Sequence, residues 1–208
     1  MINRLIEPTT GTVYIDDQDV RQANPQELRR NIGYVFQMIG LMPHWSVADN
    51  VATVPRLLGW DRKRIDTRID ELLEMVGLTD ADYRDRKPAQ LSGGQRQRVG
   101  FARALAAGPS AMLLDEPFGA IDPIQRSSLQ DAFKSLQQKL GLTVVMVTHD
   151  MTEALLLADQ IAVMHEGQML RHGTPHELMI DPQHAYVEEL LATPRKQAQV
   201  IDDLLVTN

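Results

Sequence analysis

Ala111-Met112-Leu113-Leu114-Asp115-Glu116 is the stretch from which the fold can be read. Four consecutive uncharged apolar residues, too short for a buried helix and closed by two carboxylates, read as a strand covered on both faces, as in a parallel sheet. Thr143 to Thr148 and Ile161 to Met164 repeat that pattern downstream. Leu129, Phe133, Leu136 and Leu140 mark a helix between the first two strands, ended by Gly141. Upstream, Ile32-Gly33-Tyr34-Val35-Phe36 reads as a further strand that runs into Gln37 and a loop rich in Gly, Pro and Met. Strands alternating with helices give an α/β fold with a parallel-sheet core.

Working outward, Ile65, Ile69, Leu72, Leu73 and Val76 fall on one face of an amphipathic helix closed by Gly77. Residues 50–105 are expected to form a helical subdomain. A short strand is predicted over Thr12 to Asp16. Met1 to Ile6, ended by Glu7-Pro8-Thr9-Thr10-Gly11, reads as the last turns of a helix. Residues 175–208 read as a C-terminal helical extension anchored by Leu190, Leu191, Leu204 and Leu205. The expectation is one domain over 1–208, partial at its N-terminal side.

Composition narrows the function classes. The 208 residues are 43% hydrophobic and 24% charged, ordinary values for a chain that buries a core. With no cysteine, disulfides and thiolate metal sites are excluded. No apolar run approaches the roughly 18 to 20 residues of a membrane span, and no export signal is present, so a cytoplasmic location is expected. A net charge of −7 argues against a nucleic-acid partner. Arg62-Lys63-Arg64 and Arg84 to Lys87 are interleaved with acids and read as solvated faces and turns.

Four short stretches carry chemistry. Leu91-Ser92-Gly93-Gly94-Gln95 precedes a good helix, so Ser92 can act as its N-cap. The two glycines let an anion approach backbone N–H groups at the positive end of the helix dipole. The same five residues could equally be an ordinary capped turn. Asp115 and Glu116 leave a strand at the sheet edge where ligands of open α/β folds collect. One carboxylate there could hold Mg²⁺ while the other orients an attacking water, although an isolated Asp-Glu is also common in capped turns. His149, after the strand ending at Thr148, and Gln37 have polar groups suited to a phosphate, but singly each reads as structural.

Taken in order, Gln37, Ser92 to Gln95, Asp115-Glu116, Asp122 and His149 resemble the motifs of ATP-binding-cassette (ABC) ATPases: the Q-loop glutamine, the LSGGQ signature, Walker B with its glutamate, the D-loop aspartate and the switch histidine. The resemblance covers essentially the whole chain and implies a P-loop NTPase-like fold that binds ATP and Mg²⁺ in a sandwich dimer. It implies that Asp115 and Gln37 attend the Mg²⁺ ion, with Glu116 polarising the hydrolytic water. His149 would stabilise the γ-phosphate and Asp122 would communicate across the dimer. Leu91, Ser92, Gly93, Gly94 and Gln95 would cap nucleotide held by the other subunit. The D-loop segment Gly119-Ala120-Ile121-Asp122 has isoleucine where leucine is common, a volume-conserving change.

The family's phosphate loop, G-x-x-x-x-G-K-[ST], does not occur among these residues, nor does the adenine-stacking aromatic expected before it. A start assigned too late is the expected explanation. A fragment, or a truncated subunit that only docks, are the alternatives. Met1 to Thr9, Thr53 to Trp60, Glu116 to Ile124 and His149 to Ala154 resemble ATPase subunits of osmoprotectant importers of the glycine betaine, choline and carnitine class. That likeness implies a homodimer of ATPase subunits on the inner face of the membrane. Its partners would be integral-membrane permease subunits and, indirectly, a periplasmic or lipid-anchored substrate-binding protein. Regulatory CBS modules, carried by some relatives, are not expected within 208 residues. A soluble ABC ATPase acting on nucleic acid is the remaining alternative, opposed by the acidic balance.

Overall fold

The computed structural model describes every residue except Met38, Ile39, Ala120, Thr207 and Asn208, and leaves out the side chains of Ala81, Leu205 and Val206. Ala120 of the D-loop segment and the Leu205 anchor therefore lie outside the described residues. The chain divides into two compact units, residues 1–147 and 148–208.

The first unit opens with β1 (Tyr14–Ile15) and β2 (Gln18–Asp19), an antiparallel hairpin turned by Asp16 and Asp17 at φ 49° and 60°. Aspartate tolerates this left-handed conformation better than most residues, and two such residues make the tight turn that suits strand twist. Helix α1 (Pro25–Arg30) follows, with Asn24 as N-cap and Pro25 in its first turn. Next come β3 (Ile32–Val35), α2 (Val47–Val51), α3 (Thr53–Leu57) and α4 (Arg62–Met75). The predicted amphipathic face is the buried face of α4: Ile65, Ile69, Leu72 and Leu73 are covered, as is Val76 beyond its end. Gly77 at φ 71° turns the chain away.

Helix α5 (Gly93–Leu105), β4 (Ala111–Asp115), α6 (Pro123–Leu140) and β5 (Thr143–Val147) complete this unit. The three strands form a parallel sheet in the order β3-β4-β5, with Val35 opposite Leu114 and Asp115 opposite Val147. Close packing of β3 depends on Gly33. A Cβ there would lie 2.8 Å from the Ala104 carbonyl oxygen and 2.9 Å from Met112 Cγ. Phe101, Phe118 and Phe133 meet in the core, the first and last stacked at 4.9 Å between centroids. Gly141, at φ 62°, caps α6 as expected, while Leu140 is largely exposed rather than packed.

Two expectations for this unit fail. Met1 to Ile6 is a turn, not the end of a helix: Arg4 has φ 52° and its N–H donates to the Met1 carbonyl. So short a stretch gains little from helical hydrogen bonds. It is held instead by arginines, because Arg4 donates to the carbonyls of Val20, Arg21 and Ala23 and Arg29 donates to those of Asn3 and Arg4. Strand β5 was expected to be buried on both faces, but it is the last strand in the sheet order, and Val145 and Val147 are exposed.

The second unit contains α7 (Met151–Leu157), β6 (Ile161–His165), β7 (Gln168–Gly173), α8 (Pro175–Ile180) and α9 (Ala185–Val206). Ile161 to Met164, expected in the parallel sheet, instead pairs antiparallel with β7 across a turn of Glu166 and Gly167 at φ 48° and 77°. The left-handed pair closes a hairpin that the apolar residues alone do not announce. Ile161, Val163, Leu178, Val187 and Leu191 form this unit's core, and Leu190 packs against it. Leu204 is not an anchor: it is 69% exposed.

Candidate functional site

The parallel register brings the ends of β3 and β4 to one edge, and that edge carries the first cluster of predicted residues. Gln37, two residues past β3, donates from Nε2 to Glu116 Oε2 at 2.7 Å across 79 positions of sequence. Glu116 extends the sheet by donating its own N–H to the Val147 carbonyl at 2.9 Å. It does so at φ 43°, a left-handed conformation that costs a non-glycine residue about 1 to 2 kcal/mol. A strained, half-buried carboxylate facing an amide from another strand is an arrangement found where backbone geometry serves a site. Asp115, the last residue of β4, is half-buried beside it. Burial first, and then the Asp115 charge, push the Tyr34 phenol above its ordinary pKa, so the Asp115 carboxylate is felt on β3 as well.

The second cluster surrounds the start of α5. Ser92 is its N-cap: the Gln95 N–H donates to Ser92 Oγ at 3.2 Å, and the Ser92 N–H donates to Gln95 Oε1 at 2.9 Å. This reciprocal capping box satisfies two donors of the helix end with neutral groups. Gln95 Nε2 donates onward to the Tyr83 hydroxyl at 2.8 Å. Leu91 and Gly94 are buried, and a Cβ on Gly94 would sit 2.7 Å from Gln125 Oε1, so the Gln125 side chain would have to move to admit one. Asp122, expected as a D-loop aspartate, caps α6 by accepting the Gln125 N–H at 3.0 Å, so it is exposed but not loose. Gly93 presents first-turn backbone with no side chain of its own to cover it, which suits an anion, whereas Gly94 is buried against Gln125.

His149 stands exposed at a bend in the second unit. Next to it, Asp150 caps α7 by accepting the Glu153 N–H. Two arginine and tyrosine contacts escape sequence reading. Arg103, on α5, donates to the Gly40 carbonyl at 2.5 Å, tying the loop after Gln37 to the helix that Ser92 caps. Its burial lowers its pKa from the ordinary arginine value. Tyr83 lies 12 residues before its partner Gln95. Neither distance matches a helical or strand repeat, so no local signal pointed to either contact.

A family model described as ABC transporter matches residues 1–119, more than half of the chain. The chain belongs to the ABC transporter family. Among curated relatives, this ABC chain is 49% identical over 195 residues to the carnitine transport ATP-binding protein OpuCA of Listeria monocytogenes, covering 94% of itself and 49% of that protein. It is 50% identical to the glycine betaine/carnitine/choline transport ATP-binding protein OpuCA of Bacillus subtilis, covering 94% and 51%. It thus spans about half the length of these relatives. A solved structure of the ATP-binding cassette MJ0796, a dimer in a post-hydrolysis state bound to ADP and Pi, is 35% identical. It superposes with a TM-score of 0.71 over 84% of this chain and 77% of that one.

The fit to Mg²⁺ rests on donor chemistry. Asp115, Glu116 and Gln37 supply hard oxygen ligands or partners at one edge. Among the described residues there is no group of three or more His, Cys, Asp or Glu able to hold a metal ion. Two adjacent carboxylates suit Mg²⁺, which takes one or two carboxylates and completes its shell with phosphate oxygens and water.

Proposed function

We propose that this chain belongs to an ATP-hydrolysing subunit that energises an importer of quaternary-amine osmoprotectants such as glycine betaine, choline or carnitine. The observation that carries the reading is the 2.7 Å hydrogen bond from Gln37 to Glu116 at the end of a parallel strand. It joins two residues to which the family resemblance gives roles in the same chemistry, and the relatives' transport names supply the substrate class.

In this reading Glu116 accepts a proton from the water that attacks the γ-phosphate, and Gln37 holds its carboxylate in line while sensing the metal and nucleotide. Asp115, with Gln37, holds Mg²⁺, which neutralises charge on the phosphates when bound. His149 donates to the γ-phosphate. Leu91, Ser92, Gly93, Gly94 and Gln95 close on ATP bound by a second subunit through backbone N–H groups, and Asp122 reports that closure between the subunits of a homodimer. Phe36, Met42, Trp45, Leu57 and Leu58 are exposed on the loop after β3 and on and just after α3, apolar side chains suited to an integral-membrane permease. A substrate-binding protein would act through that permease. The assembly would lie at the inner face of the cell membrane. No described helix is long and apolar enough to cross a membrane.

The test is Glu116→Gln in the assembled transporter. ATP binding is expected to survive while turnover falls about 10² to 10³-fold, because only proton acceptance is removed. Turnover within twofold of the unsubstituted protein would refute the assignment.

A further inference from the structure

We propose that Tyr83 is a positioning residue for the Leu91 to Gln95 loop, acting through the Gln95 side chain; this rests on the phosphate-binding reading of that loop. The Gln95 amide works at both ends. Its oxygen accepts the Ser92 N–H at 2.9 Å, which fixes its polarity, because the nitrogen end turned toward Ser92 would set donor against donor. Its nitrogen donates to Tyr83 Oη at 2.8 Å, which fixes its position. Without the phenol, the amide keeps only one of these two anchors and the capping box is free to open.

Tyr83 is well placed to be that anchor. It sits in a short 3-10 helix, Ala81–Asp85, and is half-buried. The Arg86 guanidinium lies over its ring at 4.4 Å. The Arg86 carbonyl in turn accepts the Val47 N–H at 2.8 Å, the first residue of α2. The phenol thus connects the loop that faces phosphate to the segment that follows the Gln37 loop. A side chain that only filled space would need its ring and not its hydroxyl, so removing the oxygen alone separates the two roles.

The experiment is a double-substitution cycle of Tyr83→Phe and Gln95→Ala in the full chain, read by amide hydrogen exchange at Ser92 with the thermal midpoint as a control. Tyr83→Phe is expected to speed Ser92 exchange about fivefold, the worth of one net hydrogen bond, and to lower the thermal midpoint by no more than about 2 to 4 °C. In the Gln95→Ala background the same change is expected to do nothing, since the amide that Tyr83 holds is gone. Unmoved exchange in Tyr83→Phe, or equal acceleration in both backgrounds, overturns the positioning role. Should Tyr83→Phe fold poorly, Gln95→Ala alone must still accelerate Ser92 exchange, and its failure to do so is equally fatal. In the assembled transporter, Tyr83→Phe is expected to lower kcat about fivefold and leave the KM for ATP unchanged, because the loop acts on nucleotide held by the other subunit. Accelerated exchange with unchanged kcat overturns the link to phosphate chemistry and counts against the reading of Leu91 to Gln95 itself.

Discussion

The end of β4 and the start of α5, the two places proposed for phosphate chemistry, are built by opposite means. At β4 two carboxylates stand side by side, and Glu116 is held at φ 43° by a hydrogen bond to Gln37 and by its own N–H on Val147. At α5 no residue from Leu91 to Gln95 carries a formal charge, and the side chains of Ser92 and Gln95 do no more than tie one another down. The first place depends on where a particular side chain is put and tolerates backbone strain to put it there. The second depends on backbone N–H groups aligned by a regular helix, where strain would spoil the alignment. Substitutions should therefore act differently at the two places.

The comparison is tested most sharply by Ser92→Arg, which places a bulky cation where backbone must meet phosphate. Dimer-dependent ATP turnover in the assembled transporter should fall at least about tenfold while nucleotide binding to the separate subunit is kept. Undiminished turnover would remove the α5 half of the contrast. A smaller effect, in stability, concerns strain. Glu116→Gly should be more stable than Glu116→Gln by about 1 kcal/mol in urea unfolding, because glycine adopts φ 43° without the Cβ penalty. Equal stabilities would mean that the β4 end stores no strain and that the contrast lies in charge alone.

The smallest effect is electrostatic and lies in α2. The Arg56 guanidinium, and then the Ser46 hydroxyl, hold Asp49 below the usual carboxylate pKa. A lowered folded-state pKa means that this contribution is complete above the unfolded value of about 3.9 and is lost as pH falls through the folded value. Asp49 is partly solvated, so the contribution is modest. The urea midpoint of the unsubstituted chain should exceed that of Asp49→Asn at neutral pH, and the gap should close as acid protonates the folded-state carboxylate below its ordinary range. A gap that persists in acid would assign the stabilisation to packing around Ser46 rather than to charge.

Several elements were legible because their causes are local. The strands over residues 32–35, 111–115 and 143–147 announce themselves as apolar runs, and α4 by the spacing of Ile65, Ile69, Leu72 and Leu73. Ser92 as N-cap and Gly141 as helix stop follow from side-chain and backbone chemistry within a few residues. The apolar pattern of Met1 to Ile6 predicts a helix, whereas arginine–carbonyl bonds with residues some 20 positions away set a turn. Strand β7 escaped notice because its exposed, polar face has neither an apolar run nor a strict alternation.

Nearest-neighbour preferences thus settled which segments are strand, helix and cap, since propensity, periodicity and capping act over one or two turns of chain. They also placed the chemistry-bearing residues in their order along the chain. Tertiary structure alone decided that β6 pairs with β7, that Gln37 meets Glu116, that Arg103 holds Gly40 and that Tyr83 holds Gln95. Those choices depend on which surfaces remain to be buried and which donors remain to be satisfied once the elements pack, and no short stretch of sequence contains that information.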